Sequence, residues 1–186
     1  MYSNLYIFDK MRFYSTLLFI VFALTSFGQN SKLFKELFKA NKAYENGEWL
    51  KAKNSYLNVL KYDSLYVKAY IQLANIDIEE KHYKDALVKL NTSLQIEKKQ
   101  DNDQIQLAYI YSLRSFCFFN LDNTKESLND ISTAIKLNSE NPNYFFIRSL
   151  LRRMNGDING CCQDLKMSAQ LGNIKANDYI AIYCVK

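Results

Sequence analysis

Residues 69–96, AYIQLANIDIEEKHYKDALVKLNTSLQI, decide the fold of this chain. Their apolar and small residues recur at helical spacing in two runs, Tyr70, Leu73, Ala74 and Asp77, then Tyr83, Ala86, Leu87, Leu90 and Leu94, with a short polar break between them. The pattern predicts one helical hairpin. A lone hairpin cannot bury its apolar face, so further copies are expected along the chain, and they are present.

On the N-terminal side, Leu33, Phe34, Leu37, Phe38, Ala40, Ala43 and Tyr44 form one stripe. After a turn at Asn46-Gly47, Trp49, Ala52, Tyr56, Val59 and Leu60 form the next. Laying Ala52 on Ala86 gives an offset of 34 residues, which places Trp49 on Tyr83, Tyr56 on Leu90, Leu60 on Leu94 and Ala40 on Ala74. A third copy lies at an offset of 41, with Ser127 on Ala86, Leu128 on Leu87, Ile131 on Leu90 and Ile135 on Leu94; the seven additional residues belong at the polar run 98–104. The fourth returns to 34, with Cys161 on Ser127, Leu165 on Ile131 and Gly156 where Gly47 stands in the first. Beyond Gly172, an amphipathic segment with Ile174, Ala176, Tyr179, Ile180 and Tyr183 on one side is suited to cover the open end of a stack.

Composition agrees with this reading. The 186 residues carry one Pro and five Gly, too few for a sheet with many turns and enough for stacked helices. The formal charge of +5 is spread along the chain rather than clustered, which argues against a nucleic-acid partner. Residues 1–28 read as a signal peptide: Arg12 precedes an apolar run from Phe13 to Leu24, with Ser26 and Gly28 before a cut ahead of Gln29, and Met11 is an alternative start. The run is shorter than the roughly 20 residues that span a bilayer. Membrane contact is therefore expected only through an uncleaved signal segment, and the mature chain is expected in the periplasm, secreted or at the cell envelope.

The 34-residue period, the small residues at the eighth and twentieth positions of each unit and the aromatic before the second small one resemble the tetratricopeptide repeat family. The resemblance covers residues 33–171. It implies an all-α, right-handed α-solenoid of about four such hairpins (33–66, 67–100, 108–141 and 142–172) with a capping helix at 173–185. Departures from the family pattern are Ser115 and Ser149 at the eighth position, Arg152 at a site usually aromatic, and Pro142 displaced by three residues. The closing stretch GCCQDLKMSAQLGNIKANDYIAIYC, 160–184, is similar to the ending of many small exported repeat proteins of the Bacteroidetes group.

In that family a concave groove is lined from the first helix of each unit. The matching residues here are Phe34, Leu37, Asn41 and Tyr44; Ile71, Asn75 and Ile78; Tyr109, Phe116 and Phe119; and Phe146, Leu150 and Arg153. Several are large and apolar, as on a protein-binding surface; a one-residue error of register would instead turn them inward. The basic clamp that some members use for acidic C-termini is mostly missing: Leu37, Tyr109 and Leu113 stand where cations are expected. The expected function is an exported, non-enzymatic scaffold or adaptor binding a peptide or protein in this groove. The alternative is a self-associating structural component of an envelope assembly, a homo-oligomer.

No catalytic residue, cofactor or metal site is expected. His82 is the single histidine and lies in a polar break, no phosphate-binding or nucleophile-elbow motif occurs, and Asp77 and Asp164, on or near helix interfaces, read as hydrogen-bonded or edge residues rather than catalytic acids. Cys117, in an apolar run, reads as a small buried hydrophobe. Folding the last two helices back about Gly172 brings Cys184 opposite Cys161 and Cys162. Because Cys161 replaces a small crossing residue, Cys162–Cys184 is the expected disulfide, with buried free thiols as the alternative.

Overall fold

The computed structural model describes residues 30–100 and 103–184. The signal peptide expected at 1–28 and residue 185 of the expected capping helix lie outside them. Among the described residues there are nine helices and no strand. The first, α1, covers 30–45; α2 is Trp49–Tyr62, α3 Val67–Glu79, α4 Tyr83–Lys99 and α5 Gln104–Asn120. They are followed by α6 Thr124–Leu137, α7 Pro142–Met154, α8 Ile158–Gln170 and α9 Ile174–Tyr183. The chain divides after Tyr66 into two compact units. In the described part of the first, α1 and α2 form one hairpin. In the second, from Val67 onward, each helix from α3 to α9 packs on the next in sequence, the quasi-one-dimensional arrangement of a solenoid.

Each hairpin turns by the same device. The helix ends on a residue with left-handed backbone: Gly47 (φ 71°), Lys81 (62°), Asp122 (60°) and Gly156 (81°), and Gly172 (98°) repeats it before α9. Paired backbone bonds then satisfy the last carbonyls, as when Lys81 N donates to Ile78 O at 3.0 Å and His82 N to Asp77 O at 2.7 Å. Glycine meets the requirement without steric cost, so Gly47 and Gly156 are visible in the sequence, whereas Lys81 and Asp122 are not.

Where the two helices of a hairpin cross, all eight contact positions are fully buried: Ala40 with Ala52, Ala74 with Ala86, Ser115 with Ser127, and Ser149 with Cys161. Only a small side chain permits so close an approach. The serines fit because their hydroxyls are satisfied there. Ser115 Oγ donates to Ser127 O at 2.9 Å, Ser127 Oγ returns the bond to Ser115 O at 2.9 Å, and Ser149 Oγ donates to Phe146 O at 2.6 Å. Leu90, Ile131 and Leu165, at one register position of successive units, lose all exposure around these crossings.

The seven additional residues between the second and third units lengthen helices. By the register of α6, α4 would end at residue 96, but it continues to Lys99; α5 begins at Gln104, four residues before the expected 108. Asp103 caps α5 by accepting from Ile105 N at 2.9 Å and Gln106 N at 3.3 Å. The buried Glu97 carboxylate accepts from Asp103 N at 2.9 Å and from the Gln106 side chain. The displaced Pro142 takes the first turn of α7, where its missing N–H costs nothing, behind the Asn141 cap.

One buried ion pair recurs in the second unit, with its polarity reversed. Asp77 on α3, 1% exposed, binds Lys89 on α4. In the register of the repeats Arg152 stands where Asp77 does and Asp164 where Lys89 does, and Arg152 Nη1 meets Asp164 Oδ2 at 3.0 Å. Arg148 adds a two-pronged contact to the same carboxylate at 2.9 and 2.7 Å. Between them, Arg114 reaches Asp130 at 3.0 and 3.4 Å. Burial raises the Asp130 carboxyl above its usual range, and Arg114 offsets part of that shift. Arg152, at a site where the family carries an aromatic, is therefore half of an inter-helix ion pair.

Two measurements follow from this packing. Lys89→Asp sets two carboxylates against each other and is expected to lower stability in a urea titration by about 2–4 kcal/mol, whereas Asp77→Arg with Lys89→Asp, which installs the α7–α8 polarity, recovers at least half. In the first unit, Tyr56 is 1% exposed and donates to Asn41 Oδ1 at 2.8 Å; burial pushes its hydroxyl from 10.0 to about 12. The unfolded chain loses that proton near pH 10 and the folded hairpin keeps it until about 12, so this contribution is whole below pH 10 and lost as pH rises through that window. Tyr56→Phe is expected to remove up to about 2 kcal/mol of the alkaline loss.

Candidate partner-binding groove

The first helices of the last two hairpins meet α9 around a cavity of about 400 Å³. From α5 it takes Ser115, Phe116 and Phe119, from α6 Ser127, from α7 Ile147, Leu150, Leu151, Arg153 and Met154, and from α9 Tyr179 and Tyr183. Helical spacing explains the set: Phe116 and Phe119, Ile147 with Leu150 and Leu151, and Tyr179 with Tyr183 lie three or four residues apart and share a face. Phe116 remains 44% exposed and Met154 66%. The cavity is therefore an apolar recess open to solvent.

α9 forms its wall. Ala176 is fully buried against Cys161 and Leu165, and Tyr179 meets Phe146 edge-on with ring centroids 5.0 Å apart. The far end of α9 is fixed to α8 by a disulfide between Cys162 and Cys184, whose Cα atoms are 5.6 Å apart. Tyr183, next to that bond, lies under the Arg153 guanidinium, with Cζ 3.7 Å from the ring centroid.

The groove residues expected from the sequence separate into distinct groups. Phe116, Phe119, Leu150 and Arg153 line the cavity together. Phe146 is half-buried because α9 covers it. Tyr109 is 41% exposed, and Asn75 Nδ2 approaches its hydroxyl at 3.5 Å; Ile78 is half-buried against the core. Ile71 corrects the expectation. At 5% exposure it sits in the core cluster of α3, α4 and α5, where Val67, Ala74, Leu107 and Ile110 surround it, so it offers no surface to a partner. In the first unit Phe34 is 67% exposed, Leu37 is half-buried, Tyr44 packs edge-on against Trp49 at 5.3 Å, and the exposed Asn41 has its carbonyl oxygen engaged by Tyr56. Ile147, Leu151, Met154, Tyr179 and Tyr183 escaped the sequence reading. The last two were visible as the apolar side of α9, but as a cover rather than a wall.

Catalytic chemistry finds little in this arrangement. His82 is exposed in a hairpin turn, with Nδ1 3.4 Å from Glu80 Oε2. Ligand atoms of Asp77, Glu80 and His82 gather within 4.8 Å, but Asp77 is sealed and bound to Lys89, which leaves a metal two surface ligands. Cys117 is fully buried, and desolvation, aided by the Asp77 charge, pushes its thiol up to about 12; burial also raises Cys161. Neither supplies a thiolate near neutral pH.

The thiol inventory is testable. The native protein is expected to react with almost no Ellman reagent, the denatured protein with two thiols, and the denatured and reduced protein with four. Cys162→Ser with Cys184→Ser opens a loop spanning a separation of 22 residues and is expected to cost roughly 3 kcal/mol, with hydrogen-exchange protection lost first in α9.

No protein-family model matches the sequence, and no curated protein matches it at a significant level; the likeness is structural. MamA superposes with a TM-score of 0.66 at 18% identity, covering 78% of this chain and 76% of that one. A tetratricopeptide repeat protein from Parabacteroides merdae gives 0.67 at 18% identity, covering 78% and 56%. YrrB, described as a tetratricopeptide repeat protein with an unusual peptide-binding site, gives 0.60 at 17% identity, covering 72% and 65%. At these identities the shared property is the fold, and this chain has the all-α fold of tetratricopeptide repeat solenoids.

Proposed function

We propose that this protein is an exported, non-enzymatic scaffold or adaptor of the periplasm, the cell envelope or the secreted fraction, which binds a peptide or protein partner in the groove of its second unit. The observation that carries the reading is the recess between α5, α7 and α9: large apolar side chains, open to solvent, on a rigid helical frame. Burying one Leu- or Phe-sized side chain of a partner there supplies about 1.5–3 kcal/mol, and the exposed Arg153 at its lining adds orientation. A solved neighbour described by a peptide-binding site supports the same assignment. Export is supported by the Cys162–Cys184 disulfide, a bond that persists in oxidising compartments, and by the leader-like run at 13–24.

A second reading, self-association within an envelope assembly, is favoured by a different patch. Phe34, Phe38 and Leu50 of the first unit are 67%, 70% and 73% exposed. Sedimentation at micromolar concentration separates the two, since a strict monomer excludes assembly through that patch.

The groove is tested with Phe116→Ser combined with Met154→Ser. Met154 is 66% exposed and Phe116 44%, its covered edge resting on Tyr83, so the melting temperature is expected to fall by several degrees without loss of the cooperative transition. Recovery of bound protein from envelope extract is expected to fall at least tenfold relative to wild type; equal recovery removes the groove from the account.

A further inference from the structure

Four arginines occur among the described residues, and three of them are ion-paired internally: Arg114 with Asp130, Arg148 with Asp164, and Arg152 with both Asp164 and Asp157. The fourth, Arg153, makes no ion pair to a described residue. It is exposed and, among the described residues that line the recess, it is the single charged group; none of them is a carboxylate. Its guanidinium lies 3.7 Å from the Tyr183 ring centroid. An arginine held by its face keeps its in-plane N–H donors available, and their fork matches a carboxylate. The Cys162–Cys184 bond beside Tyr183 fixes the platform, so little side-chain freedom is left to lose on binding.

Resting on the groove reading above, we infer that the recess between α5, α7 and α9 selects an acidic peptide segment, in which a bulky apolar residue enters the recess and an Asp or Glu side chain within two residues of it pairs with Arg153. Charge complementarity fixes the occupant. The cavity accepts Phe, Leu or Met from many sequences, and the lone cation at its edge distinguishes among them. The chain's own apolar run at 13–24 contains no acidic residue and lacks the second half of the recognition. A carboxylate on a C-terminus offers the same fork, so the test removes that source.

The experiment selects random twelve-residue peptides, displayed with no free C-terminus, on the immobilised, oxidised full chain. Enriched sequences are expected to pair Phe, Leu or Met with Asp or Glu within two positions. The same selection on Arg153→Gln is expected to keep the apolar preference and lose the acidic one. For an enriched peptide resynthesised with an amidated end, changing its acid to the amide, or Arg153 to Gln, is expected to weaken binding about tenfold, and the two changes together no further. The peptide-side change tests the contact without altering the protein. Enriched sequences without an acid, or an acidic preference that survives Arg153→Gln, overturn the inference and leave the groove reading standing. A wild-type selection no richer than one on the Phe116→Ser, Met154→Ser chain overturns both.

Discussion

Two helices can cross with their backbones nearly touching only where neither carries a large side chain at the crossing, and this constraint organises the protein. It is met four times, by alanine pairs, a serine pair and a serine with a cysteine, all without solvent exposure. Close crossing lets Leu90, Ile131 and Leu165 pack into shared interiors, where they lose all exposure. Within the second unit the first helices α5 and α7 contribute to one core cluster. Side chains at their outer positions then line a recess instead of filling a core.

The end of the solenoid is where this becomes useful. A stack of hairpins must finish on a helix whose outer side tolerates water, and α9 meets that need by burying Ala176 and covering Phe146. Its tyrosines also stand beside the recess, so the element that closes the core shapes the site. Ten residues of helix hold such a position weakly on their own. The disulfide to α8 supplies the missing anchorage, linking an oxidising environment to the geometry of a binding surface.

Periodicity made the hairpins legible because spacing of apolar and small residues is imposed by helix geometry and survives substitution. What it hid were cases where one chemistry replaces another at the same position. Ser115 and Ser149 look like faults until their hydroxyls are seen bonded to backbone carbonyls of the hairpin. Arg152 looks misplaced until Asp164 is seen opposite it, and Lys81 or Asp122 gives no hint of a left-handed turn. Of the groove residues that the family resemblance implied, Phe116, Phe119, Leu150 and Arg153 line one cavity. Ile71 does not, since the four-residue extension of α5 brings Leu107 into its cluster, and a sequence pattern carries no measure of how far a neighbouring helix reaches.

Calorimetry of Ser115→Ala and Ser115→Leu tests the governing constraint most directly. The account predicts that alanine, which fits the crossing and forfeits only the hydroxyl bonds, lowers the melting temperature by a few degrees. Leucine, which drives α5 and α6 apart, is predicted to lower it by more than about ten degrees or abolish the cooperative transition. A leucine variant that melts with the alanine variant would contradict the account, because the helices would then be held together without touching at that point.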